Sequence, residues 1–198
     1  MRTTVRLVIL FIFSRSVMSS DVEIRQLQQL TTDYPEYRND VIAVVNIGAQ
    51  RLDYYRDGKR LAEYPISTAK RGIGNKEGSY QTPIGVHYVR DKIGANSPSG
   101  MIFKGRNETG KITKIESRPQ HSGEDLITTR ILRLSGLEPG INFGTGIDSY
   151  KRYIYIHGTH EEGLIGQPVS HGCVRMRNQD VVKLFNELPE KALVLIHE

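Results

Sequence analysis

Val41-Ile42-Ala43-Val44-Val45-Asn46-Ile47, then Gln50 to Tyr55, Asp57-Gly58 and Lys59 to Ile66, is the stretch whose reading decides the fold. The first run is short, apolar and rich in β-branched residues, as a buried strand requires. Asp57-Gly58 supplies the two positive φ angles of a tight hairpin turn, so the next two runs pair as antiparallel strands. Downstream, Thr82-Pro83-Ile84-Gly85 leads into a strand over Val86 to Val89, and Leu126 to Leu134 and Ala192 to Ile196 read as further strands. Tyr153-Ile154-Tyr155-Ile156 alternates and ends at His157, placing that imidazole at a strand end. Asn178 is expected to cap a short helix with Val181, Val182, Leu184, Phe185 and Leu188 on its apolar face, ended by Pro189. The expectation is a mainly β domain, a β-rich α+β fold with one or two short helices.

Upstream, Ser20-Asp21-Val22-Glu23 is a capping-box pattern opening a helix with Ile24, Leu27 and Leu30 at helical spacing. Met1 to Ser20 has a basic start, the apolar run Leu7 to Phe13 and a small-residue exit, the layout of a secretory signal with Val17-Met18-Ser19 as its cleavage tripeptide. The run is far below the roughly 20 residues needed to span a bilayer. Retention as an anchor is the alternative, because Arg15 follows the run closely. The expected organisation is therefore a signal or anchor over 1–19, a short helix and connector over 20–40, and one domain over 41–198. Residues 20–40 leave no room there for a separate wall-binding domain. Two stretches, Gly105 to Asp125 and Ser135 to Tyr150, show no apolar period and are expected to be long loops over the functional site.

The 198 residues suffice for one full domain. Hydrophobic residues at 38% and charged residues at 25% exclude wholesale disorder and a multi-span membrane protein. The formal charge of +5 is concentrated at the start: Arg2, Arg6 and Arg15 precede the first acidic residue, leaving 24 basic against 22 acidic residues in the remainder. That balance is no footprint for a phosphate backbone, and no nucleic-acid partner is expected. The single cysteine, Cys173, cannot form an internal disulfide. An unpaired thiol in an exported chain is a liability unless it is buried or used.

The chemistry is concentrated between Ile156 and Met176: Ile156-His157-Gly158-Thr159, a glycine-containing loop, then Ser170-His171-Gly172-Cys173-Val174-Arg175-Met176. A thiol needs a neighbouring imidazole or positive dipole to act as a nucleophile at neutral pH. His171 lies two residues from Cys173, and His157 can arrive from an adjacent strand. Gly172 removes a side chain before the thiol, so the N–H groups of Gly172 and Cys173 can approach a reacting carbonyl oxygen. A zinc site built from His157, His160, His171 and Cys173 is the competing reading. Gly158 disfavours a helical His-x-x-His, and structural zinc sites usually carry more than one Cys. No metal or cofactor is expected. Gly72-Ile73-Gly74 to Gly78 resembles a nucleotide loop only loosely, and His87, His121 and His197 read as surface or strand residues.

His157-Gly158-Thr159 with Ser170-His171-Gly172-Cys173-Val174-Arg175 resembles the signature of the L,D-transpeptidase family, whose catalytic domain is of YkuD type. Thr82-Pro83-Ile84-Gly85 is similar to the family's Thr-Pro-x-Gly, and the hairpin ending Tyr64-Pro65-Ile66-Ser67-Thr68 agrees. The resemblance covers 41–197. Arg175 departs from the commoner Asn, and the spacing of twelve residues between His157 and Ser170 is slightly short.

The resemblance implies a YkuD-like β-sandwich in an exported bacterial enzyme of the periplasm or cell envelope, acting on peptidoglycan stem peptides. Cys173 would attack the diaminopimelate carbonyl and expel D-alanine to give a thioester, and an amine would resolve it. That amine is a second stem peptide, a free D-amino acid or a lysine of a wall-linked lipoprotein. His157 would be general base and acid, oriented by Gly158. His171 would support the site, and Gly172 and Cys173 would hold the oxyanion. Arg175, Ser170 and Tyr155 are the expected substrate contacts, with an internal ion pair as the alternative role for Arg175. An L,D-carboxypeptidase or endopeptidase uses the same thioester with water; a non-catalytic wall-binding or zinc-binding module is the reading from another class.

Overall fold

The computed structural model describes residues 25–198. The expected signal over 1–19 and the capping box at Ser20 to Glu23 lie outside the described residues. A first helix, α1, covers residues 25–33. Ten strands follow: β1 (Arg38–Asn46), β2 (Arg51–Arg56), β3 (Lys59–Ser67), β4 (Gly85–Ile93), β5 (Met101–Lys104), β6 (Asn107–Ile112), β7 (Ile127–Gly136), β8 (Tyr155–Gly158), β9 (Val174–Met176) and β10 (Ala192–His197). A 3-10 turn, Glu162–Leu164, precedes β9, and helix α2 (Asn178–Glu187) follows it.

The strands form a single sheet in the order β4-β10-β1-β2-β3-β9-β8-β7-β5-β6, and β4 also pairs with β7. Eight strands thus close into a ring, with the β5–β6 hairpin extending from it. The two layers of the expected sandwich are joined at both edges, which leaves few open strand edges. Only β1–β10 and β8–β9 are parallel among the named pairs. The second of these carries the site.

β1 explains its own unbroken apolar run. Val41, Ala43 and Val45 point into the central core with Leu52, Leu132, Leu134, Ile156 and Val194. Ile42 and Val44 point the other way and are covered by Leu27 and Leu30 of α1. A strand buried on both faces cannot alternate apolar with polar. α2 lays Val181, Leu184 and Phe185 on the central core, with Leu188 just beyond its end; burying each side chain of that size is worth about 1.5–3 kcal/mol. The hairpin turn is as expected, with φ of 49° at Asp57 and 72° at Gly58.

Three local readings change. β6 was hidden in an expected loop because all six of its residues are exposed, so no apolar period marks it. β8 starts at Tyr155, not Tyr153, because Tyr153 has φ of 57° and sits in a turn. Asn178 is the first residue of α2, not its cap: the Glu162 carboxylate accepts its N–H at 2.7 Å, supplying an anion where the helix dipole favours one. His87 is the strand residue that was one of its two expected settings, fully buried in β4 and bonded to Ser149 Oγ at 2.9 Å and Gly85 O at 3.0 Å.

Candidate active site

Parallel register pairs Ile156 with Val174, His157 with Arg175 and Gly158 with Met176. Side chains alternate across a strand, and register partners in a parallel pair share a face. Ile156, Val174 and Met176 therefore enter the core. Tyr155, His157, Cys173 and Arg175 occupy the opposite face, which brings the expected imidazole and thiol onto one surface of two neighbouring strands. The Tyr155 N–H points at the Cys173 sulfur, and the thiol donates to Tyr153 O at 3.4 Å.

Cys173 is held by the turn before β9. Gly172 has φ of 129°, a conformation L side chains rarely adopt, and an added Cβ would lie 3.3 Å from Gln81 O. Buried Thr82 fixes this peptide: its hydroxyl donates to Gly172 O at 3.0 Å and accepts the Ala69 N–H at 2.9 Å. Because a trans peptide is planar, the Cys173 N–H points away from Thr82, opposite the pinned carbonyl. The Gly172 N–H is instead donated to Ser170 Oγ at 3.2 Å, and that hydroxyl donates to Cys173 O at 2.6 Å. The Gly172 N–H and the Ser170 hydroxyl, expected as an oxyanion donor and a substrate contact, thus brace the turn that holds Cys173.

His157 is buried, and its Nδ1–H donates to Gly158 O at 2.7 Å. A carbonyl can only accept, so Nε2 is left as the basic nitrogen. Gly158 is required here: a Cβ would sit 2.7 Å from both Thr128 O and Asn178 Oδ1. Burial lowers the His157 pKa, with Asp125 opposing. The Cys173 residue is half-buried, yet desolvation of its sulfur, with Asp125 adding to it, pushes the thiol up to about 12 against the Tyr155 N–H, Arg175 and Arg152. Burial thus acts against charge on both the thiol and the imidazole.

The remaining face is an ion-pair network that sequence reading missed. Asp125 Oδ2 accepts His171 Nδ1–H at 2.7 Å, and its Oδ1 lies 2.6 Å from Arg175. Glu161, buried beside it, takes the other guanidinium nitrogen of Arg175 at 2.9 Å and the Ser122 N–H at 2.6 Å. Burial raises the Asp125 pKa, but Arg175, His157 and the hydrogen bond from His171 outweigh it and hold the carboxyl below its usual range. The Arg175 side chain is 3% exposed and paired with two carboxylates. The geometry matches the internal ion pair: both terminal guanidinium nitrogens are engaged inside the protein. Nothing in the polar stretch around Asp125 marks it in sequence, since a loop residue aimed at a distant Arg has no local period.

Tyr155 sits on the site face but is 4% exposed, packed with Met101, Phe103 and Ile131, and its hydroxyl accepts from Arg106 at 3.4 Å. It acts as a wall beside Cys173. His171 is exposed and meets the Tyr80 ring edge-on at 6.0 Å. Of the four residues in the competing zinc reading, His160 has its Nε2 bonded to Ser122 Oγ at 2.7 Å. Among the described residues, no group of three or more His, Cys, Asp or Glu is placed to hold a metal ion.

The sequence profile of the L,D-transpeptidase catalytic domain, YkuD, matches residues 40–196. The chain belongs to the L,D-transpeptidase family. "Probable L,D-transpeptidase YcfS" of Escherichia coli strain K12 is 32% identical over 164 residues, covering 82% of this chain and 44% of that protein. "Probable L,D-transpeptidase YbiS" of the same strain is 53% identical over 38 residues, 19% of this chain and 12% of that protein. The chain thus spans less than half the length of either relative. The crystal structure of L,D-transpeptidase 3 from Mycobacterium tuberculosis with a faropenem-derived adduct superposes with a TM-score of 0.50 at 16% identity, covering 80% of this chain and 60% of that one. At that identity the likeness shows the fold alone, a mainly β domain with few helices.

Proposed function

We propose that the chain is an exported peptidoglycan L,D-transpeptidase working through Cys173. The observation that carries this reading is the face shared by His157 and Cys173 across β8 and β9, with Nδ1 tied to Gly158 O and Nε2 left basic. Cys173 attacks the carbonyl at the L-centre of diaminopimelate while its thiol proton passes to His157 Nε2. The developing oxyanion faces the Cys173 N–H. Collapse breaks the bond to D-alanine, whose nitrogen takes the proton from His157. An acceptor amine then attacks the thioester, returns a proton through His157 to sulfur, and leaves with the acyl group. Burial raises the pKa of the Cys173 thiol, and in this mechanism His157 removes its proton during attack.

His171, Asp125, Glu161 and Arg175 act by positioning: Arg175 ties the β9 strand to both carboxylates, and Asp125 orients His171 beside the nucleophile turn. The family membership and the secretory layout of residues 1–19 support a place in the periplasm or cell envelope. Mass spectrometry of a disaccharide-tetrapeptide incubated with the protein tests the reading. A crosslinked dimer lacking one D-alanine, absent with Cys173→Ala, is the expected product. Tripeptide alone makes the chain a hydrolase, and products that persist in Cys173→Ala refute the mechanism.

A further inference from the structure

A cleft of about 820 Å³ opens beside the nucleophile turn, lined by Lys70, Arg71, Tyr80, Ser170 and His171. Its two cations sit on backbone fastened to the turn that carries Cys173. Lys70 N–H donates to Ser170 O at 3.0 Å, and Gln81 Nε2 donates to Arg71 O at 3.0 Å. The Arg71 guanidinium lies 5.1 Å over the Tyr80 ring, which in turn meets His171. Tyr80 keeps a φ of 58° to stand there and is half-exposed.

The charges near Cys173 are unevenly balanced. Asp125 and Glu161 are both taken by Arg175, whereas among the described residues no carboxylate forms a salt bridge with Lys70 or Arg71. A third cation, Arg152, acts electrostatically on Cys173 and on Glu77, and its hydrogen bonds go to neutral acceptors: Gly74 O at 3.1 Å, Ser79 Oγ at 3.4 Å and Gln81 O at 2.7 Å. Concave sites lined by one sign of charge concentrate ligands of the other sign. A guanidinium held against an aromatic face also keeps its planar donor edge open to two carboxylate oxygens.

We infer that the cleft of Lys70, Arg71 and Tyr80 is a carboxylate subsite that seats the stem peptide beside Cys173. The inference rests on the transpeptidase reading and specifies which part of the substrate this side of the site recognises. Two carboxylates of the donor have the required chemistry, that of the terminal D-alanine and the free one of diaminopimelate.

Steady-state kinetics on three donors decides: the tetrapeptide, its terminal amide, and the peptide amidated on diaminopimelate. Each is compared between the wild type and Lys70→Gln/Arg71→Gln, both checked for unchanged melting. Losing a charge-assisted bond predicts a KM about tenfold or more higher for one amide with the wild type, and kcat within twofold. Which amide responds identifies the carboxylate seated. The double variant should bind acid and amide alike, and the wild-type preference should weaken as salt rises. A wild type indifferent to both amides, or a variant that keeps the preference, overturns the subsite. In that event Cys173-dependent turnover of all three donors leaves the transpeptidase reading standing, while no Cys173-dependent turnover of any donor refutes both.

Discussion

Replacing Thr82 by Val removes one oxygen from a fully buried site and leaves the shape of the side chain nearly unchanged. That oxygen serves the Ala69 N–H at 2.9 Å and Gly172 O at 3.0 Å. Each buried group left without a partner costs about 1–3 kcal/mol, so Thr82→Val should lose about 2–6 kcal/mol of stability. For a chain of this size that corresponds to a melting temperature lower by about 4–24 °C. The chemical effect is separate. With Gly172 O unpinned, its peptide can rotate and carry the Cys173 N–H away from the developing oxyanion. Full loss of such a donor costs about 10²–10³ in kcat; misalignment should cost about 10- to 100-fold, with KM little changed. The assay is the rate of Cys173 acylation at a temperature where the variant remains folded, with Thr82→Ser as the control that restores the hydroxyl. A Thr82→Val protein that acylates at the wild-type rate, or a Thr82→Ser protein as slow as Thr82→Val, would refute the pinned-peptide argument.

Gly158→Ala places a Cβ against the Thr128 carbonyl and the Asn178 side chain; the expected outcome is a protein at least about 1 kcal/mol less stable in denaturant unfolding, with slower acylation because the carbonyl orienting His157 must shift. Asp125→Asn removes a charge that raises the pKa values of both His157 and Cys173. The acid limb of the kcat/KM profile should then move to lower pH, and alkylation of Cys173 by iodoacetamide should begin at lower pH; unchanged profiles would show that the Asp125 charge does not act on the His157–Cys173 pair. His87 is depressed from 6.5 to about 4 by burial. Its contribution to stability is therefore complete above pH 6.5 and lost as pH falls from 6.5 to 4, by about 3 kcal/mol in all. Melting curves between pH 7 and 4.5 should fall more steeply for the wild type than for His87→Gln, and parallel curves would contradict the assignment.

The residues legible in sequence are those whose neighbours along the chain declare them. β1 and the Asp57-Gly58 hairpin follow from composition and turn chemistry, and His157 and Cys173 follow from a short segment in which a strand end and a glycine turn are written side by side. What escaped the sequence is made at a distance. Asp125 meets His171 across a separation of 46 residues, and Thr82 meets Gly172 across 90. Neither pairing leaves a local period to read. The same separation hides the partners of Arg175: its residue type suits substrate binding, and only the arrival of Asp125 and Glu161 shows that its guanidinium is engaged inside the protein.

The central claim is that Cys173, assisted by His157, carries the acyl group. A disaccharide-tetrapeptide mixed with the protein without added acceptor, quenched in acid and digested with pepsin, reports it directly by mass spectrometry. The account predicts a disaccharide-tripeptide acyl group on the peptide containing Cys173, and none over the same interval in His157→Ala. Acylation at another residue, or full labelling of Cys173 in His157→Ala, would contradict it.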